Sequence, residues 1–178
     1  MDDIGLDDES FSIVIIGGGP HALAALAALH DAGSQFRGDK IGTVCVIDPG
    51  SRFMQSWNKR FDALEIDHLR SPAFAHPVAF EPTALVDFAV REGRTSELVD
   101  APVDRWLPTT DLSSHGLLKN LPSSALFSDF CASLEAMLPH RWLSGAATSV
   151  CKDSSTGEFR VHYRRRQASA SGRWWRAR

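Results

Sequence analysis

The chain has 178 residues, 43% of them hydrophobic, and a formal net charge of −3. That length and composition allow one packed domain or slightly more and exclude a fibrous or low-complexity chain. Seven arginines and no acidic residue fall in positions 160–178, so the net −3 less those seven charges leaves −10 for the first 159 residues. Leading into that basic end, Glu158 to Arg164 alternates as a strand does, so no nucleic-acid partner is expected.

The start, Met1 to Glu9, is acidic and lacks the basic end of a secretory leader. It reads as a disordered acidic tail over 1–10, ahead of one domain over 11–178, with a cytoplasmic location. Phe11 to Ile16 is apolar or β-branched except for Ser12, a run expected of a central parallel strand covered on both faces. Three glycines end it. Gly17, Gly19 and Ala22 fit the G-x-G-x-x-G/A pattern: a tight turn, a backbone that a pyrophosphate can approach, and a small residue for close helix–strand packing. Gly18 and His21 fill the intervening positions. Pro20 suits the first turn of a helix, whose free N–H groups and positive dipole end favour an anion. Leu23, Leu26 and Ala27 repeat at helical spacing, and Gly33 is placed to cap that helix. Although residues 11–29 form the most hydrophobic window, the glycines, Pro20 and His21 interrupt it, so no membrane span is expected.

A polar loop over 34–40 leads to a second β-branched run, Ile41 to Asp48. Asp48, ahead of Pro49-Gly50, stands near the place where a dinucleotide fold puts the carboxylate that accepts ribose hydroxyls. Ser51 to Arg60 reads as loop with a short helical piece. In Phe61 to Pro72, the alternation of Leu64, Ile66 and His68 predicts a short strand. A helix is expected over 82–93, with Leu85, Phe88 and Ala89 on one face and Gly93 as its cap. Residues 94–121, rich in Pro, Ser, Thr and Asp, read as irregular.

Pro122 to Pro139 predicts a helix capped by serine, with Leu126, Phe127, Phe130, Leu134, Met137 and Leu138 as its apolar face. After it, strands over 146–152, 159–165 and from 173 onward form a β-meander. The cysteines, Cys45, Cys131 and Cys151, show neither a C-x-x-C pair nor metal-ligand spacing, so buried thiols and no metal are expected. The whole is an α/β, Rossmann-like FAD/NAD(P)-binding domain: a parallel sheet with a C-terminal meander.

These residues resemble the FAD-binding half of flavin-dependent monooxygenases with two dinucleotide-binding domains, especially the lysine/ornithine N-hydroxylase-like group and the oxidative-stress-induced growth inhibitor proteins. The resemblance rests on Gly17 to Ala22, Val46-Ile-Asp-Pro49, Met54-Gln-Ser-Trp57, and His68-Leu-Arg-Ser-Pro72 followed by His76-Pro77. It implies FAD, with its pyrophosphate at Gly17 to Ala22 and its ribose at Asp48 and Pro49. By the same resemblance Gln55, Trp57 and Arg70 would lie near the flavin ring, Gln55 bonding its edge, Trp57 covering its face and Arg70 offsetting its charge. The implied activity is that of an oxidoreductase in which NADPH reduces the flavin for oxygen activation and hydroxylation of a small substrate. Compared with the family, the last parallel strand and the NADPH domain with its own Gly-rich turn are missing after Arg178, which implies a truncated chain with an exposed sheet edge. His21, His68 and His76 have side chains suited to proton transfer, but the sequence does not bring them together. Two other readings stay open: a nicotinamide-dependent dehydrogenase, and a non-catalytic dinucleotide-binding module. Substrate and oligomeric state are not legible.

Overall fold

A computed structural model describes residues 10–35, 43–76, 78, 81–100, 116–165 and 173–177. The expected tail therefore lies outside the described residues, apart from Ser10, which opens a strand. The same holds for most of the irregular stretch around Trp106 and for the turn at 167–172.

The strand expected over 11–16 is divided into β1 (Ser10–Phe11) and β2 (Ile13–Ile16). Helix α1 (Pro20–Gln35) follows and runs through Gly33, so that glycine does not end it. Next come β3 (Val44–Asp48) and α2 (Gln55–Ala63). Helix α3 (Ala84–Arg91) buries Leu85, Phe88 and Ala89 as expected. It closes on Gly93 at φ 67°, with Arg94 N–H bonding Ala89 O at 2.7 Å, a glycine cap in the left-handed region. Two short strands, β4 (Leu98–Val99) and β5 (Leu121–Pro122), pair antiparallel. Helix α4 (Ser124–Met137) and the strands β6 (Arg141–Lys152), β7 (Phe159–Arg165) and β8 (Arg173–Ala177) complete the chain.

Sheet order is β1-β8-β7-β6-β3-β2. Strand β6 is longer than its sequence implied: Arg141 to Ser144 run parallel to Cys45 to Asp48, and Gly145 onward turns antiparallel to β7. One strand thus serves as both the third parallel strand and the first strand of the meander. Because β1 pairs with β8 and β2 with β3, the single segment 10–16 ties the two ends of the sheet together.

Strand β3 is covered on both faces. Val44 and Val46 join the helical core with Leu23, Leu26, Leu126 and Phe127, while Cys45 and Ile47 pack with Phe11, Leu143, Val161 and Tyr163 beneath the meander. Strand β2 departs from expectation: it pairs only with β3 among the described residues, its side chains are half-buried, and Ile16 is 51% exposed. The apolar run signalled a covered strand, but an edge position leaves it partly open. Two further apolar side chains differ from their sequence reading: Met137 is 66% exposed and Cys151 is on the surface.

Candidate nucleotide site and adjoining cavity

The Gly-rich turn is braced on one side and open on the other. Gly17 takes φ +100°, a conformation that glycine alone adopts without strain, and donates its N–H to Ile47 O at 2.8 Å. Gly18 N–H donates to Asp48 Oδ2 at 2.8 Å, while Gly50 N–H donates to Asp48 Oδ1 at 2.6 Å. Asp48 therefore joins the turn to the end of β3, and each carboxylate oxygen keeps capacity for a further donor such as a sugar hydroxyl.

Above the same glycine sits an aromatic ring. A Cβ on Gly18 would lie 2.5 Å from Cη2 of Trp142. Trp142 Nε1–H and Ser144 Oγ–H both donate to Gly50 O, at 2.9 and 3.0 Å. Met54, held at φ 64°, donates its N–H to Gly18 O at 2.7 Å. At Gly17 and Gly19 a Cβ would meet nothing within 4 Å. The open side thus coincides with the start of α1, whose first N–H groups and dipole end suit an anion.

Gln55 turns back on this loop. Its Oε1 accepts Ser51 N–H at 2.7 Å, so the side chain steadies residues 50–51, next to exposed Pro49, and does not line the cavity. Ala22 packs against the helical core, as the third small residue of the turn should.

A cavity of about 900 Å³ adjoins the first turn of α1, reached by Pro20 and His21. One wall is aromatic: Trp57 stacks on Phe61 with centroids 3.6 Å apart, and its ring meets the edge of Phe127 at 5.3 Å. The cavity also has a polar lining, with His68, exposed Arg70, Ser71 and His76. Of the expected strand over 64–68 a single antiparallel bridge forms, His68 with Ser123. Helix α2 continues to Ala63, and the following segment is laced to the start of α4 by Ser124 N–H to Asp67 O at 2.7 Å, Ser124 Oγ to Ile66 O at 2.5 Å and Leu69 N–H to Pro122 O at 2.9 Å. The two main-chain bonds are those of the His68–Ser123 bridge, which stops there because α4 begins at Ser124.

That helix start is itself fixed. Ser123 caps it, accepting Leu126 N–H at 2.9 Å, and donates its hydroxyl to Glu97. Arg94 binds Glu97 through two nitrogens and Asp129 through a third. Hydrogen bonds from Arg94 and Ser123 hold the Glu97 carboxyl below its ordinary range. The network places Phe127, which is 1% exposed, under both Trp57 and His76.

His76 is the distinctive group of this polar lining. Its Nε2 lies 2.7 Å from Ser71 Oγ, and its ring tilts against Phe127 at 4.8 Å. Burial lowers its pKa, against a raising bond to the Ser71 main chain, and nearby His21 lowers it further. The structure therefore gathers His21, His68 and His76 around one cavity. Buried Cys131, by contrast, has its thiol pushed up to about 12 by burial, which makes it unreactive. No group of three or more metal-ligating side chains occurs among the described residues. Trp142, Ser144 and the Ser71–His76 pair escaped the sequence reading. The signal for the first two was Arg141-Trp-Leu-Ser144, a short strand hidden between Pro139 and the meander.

No family model matches the chain, and no curated protein does. Solved structures do. The ornithine N-hydroxylase of Kutzneria sp. 744, solved with reduced FAD, NADP+ and L-ornithine, aligns over 96% of this chain and 36% of its own, with a TM-score of 0.64 and 16% identity. The reduced ornithine hydroxylase of Pseudomonas aeruginosa aligns over 94% and 37%, with a TM-score of 0.58 and 16% identity. The cadaverine monooxygenase of Erwinia amylovora, bound to FAD, gives 96% and 34%, 0.56 and 20%. The fold is one found in flavin-dependent monooxygenases. The chain spans about a third of the length of these three structures. No helix among the described residues is long and apolar enough to cross a membrane.

Proposed function

We propose that this chain is the FAD-binding part of an NADPH-using, monooxygenase-like oxidoreductase acting on a small molecule. The observation that carries the reading is the two-sided Gly-rich turn: Gly18 locked to Asp48 and Trp142, Gly17 and Gly19 open at the start of α1. That arrangement fits a dinucleotide. The open glycines and the helix start would hold the pyrophosphate, and Asp48 would accept the ribose hydroxyls. Pro20, His21, Trp57 and Arg70, which border the cavity, would surround the ring, with Trp57 against its face and Arg70 on its charged edge. Gln55 would act at one remove, by steadying the 50–51 loop. When bound, a flavin supplies hydride acceptance and oxygen activation; the side chains supply binding, orientation and exclusion of water.

A nicotinamide cofactor would also suit the turn, but the aromatic cavity beside it and the likeness to flavin enzymes support FAD. The test is competition: FAD and NAD are each titrated against the purified chain while tryptophan fluorescence is followed. Tighter FAD binding, lost on Gly19→Val, supports the reading. Tighter NAD binding overturns the choice of cofactor.

A further inference from the structure

The cavity holds a proton-transfer arrangement that a nucleotide site alone does not require. Ser71 Oγ and His76 Nε2 are in hydrogen-bond contact at 2.7 Å, and both line the cavity. Trp57, Phe61 and Phe127 line the same cavity, and His76 rests against Phe127. Arg70 supplies a cation on the rim, and exposed His21 stands at the solvent side beside the first turn of α1.

We propose that Ser71 and His76 form an acid–base pair that deprotonates a planar aromatic ligand bearing an acidic hydroxyl, seated against Trp57. The ligand O–H donates its proton to Ser71 Oγ as Ser71 passes its own proton to His76 Nε2. The electron pair of the broken O–H bond stays on the ligand oxygen, and His76 becomes an imidazolium. The phenolate-like anion is matched by Arg70. From the 64–72 segment, Glu65, Asp67, His68 and Arg70 line the same cavity. His21 from α1, when charged, opposes the imidazolium, and α4 presents only apolar Phe127 to the ring. Trp57 and Arg70 are also the groups that would meet the flavin ring, so the ligand and FAD compete for this seat and the measurement is made on the chain without added FAD.

The probe is 4-nitrophenol, whose colour reports its ionisation, added to the full chain just below the pH at which the free compound ionises. Equilibrium dialysis measures binding and absorbance measures the bound phenolate. The wild-type chain should bind it and raise the phenolate-to-phenol ratio on the order of tenfold, equivalent to about one pKa unit. His76→Gln and Ser71→Ala should keep the binding and return the ratio to that of free probe. Circular dichroism checks that each variant folds, with His76→Asn as a second replacement. Absence of binding, binding without added phenolate, or an unchanged ratio in the folded variants would each overturn the proposal. Failure of FAD retention would leave these readouts intact, so the two readings fail separately.

Discussion

The Gly-rich turn and the cavity beside it are built by opposite means. At the turn, main-chain groups are tied down: Gly17 to β3, Gly18 to Asp48 and Met54, Gly50 to Trp142 and Ser144. In the cavity, the polar side chains His21, His68 and Arg70 line open space, and Ser71–His76 is the pair whose partner is fixed. A rigid backbone cradle suits a fixed, charged group such as a pyrophosphate, whereas side chains free to adjust suit a ring or a substrate. Preorganisation therefore resides in the turn, and adaptability in the cavity.

Phe127→Ala is the strongest way to break that division, because the ring supports the cavity wall and fills the core at once. It should cost about 3–5 kcal/mol, read as a shift in the urea midpoint. Gly18→Ala comes next, since its Cβ would collide with Trp142. A loss of about 1–3 kcal/mol is expected, partly restored when Trp142 is shortened to Leu in the same chain. If Gly18→Ala alone proves neutral, the brace is looser than its geometry. Ser123→Ala removes the α4 cap and a donor to Glu97, and should lower stability by about 1 kcal/mol in the same assay.

Acid sharpens the comparison through a smaller effect. The folded chain prefers neutral His76, its pKa being lowered from 6.5 chiefly by burial. Its contribution is complete above pH 6.5 and is lost as pH falls below that value toward the folded-state pKa. Melting temperature should drop over that window in the wild type and less steeply in His76→Gln. The smallest structural effect belongs to Gly19→Val, which meets open space and should change stability by less than about 1 kcal/mol.

Regions governed by local chemistry were legible in the sequence. The glycine turn, the α3 face with its Gly93 cap, and the Ser123 cap all follow from neighbours a few residues apart. Long-range partners decided what was not legible. Alternation at Leu64, Ile66 and His68 predicts a strand, but only His68 pairs, with Ser123, because the partner segment turns into α4 at Ser124. Gly33 looked like a stop, yet α1 runs past it. In the site, Gly17 to Ala22 and Asp48 were visible as a motif. Trp142 was not, because it reaches Gly18 only through the pairing of β6 with β3. The meeting of Ser71 with His76 likewise depends on the short helical turn Ala73–Ala75 between them, which periodicity does not encode.

The most direct test is a visible absorption spectrum of the chain and of its Gly19→Val variant, each incubated with FAD and desalted. A flavin band retained by the wild type and absent from an equally folded variant is the expected result. No retained flavin, or the same band in both, would contradict the assignment of the turn as the FAD pyrophosphate site.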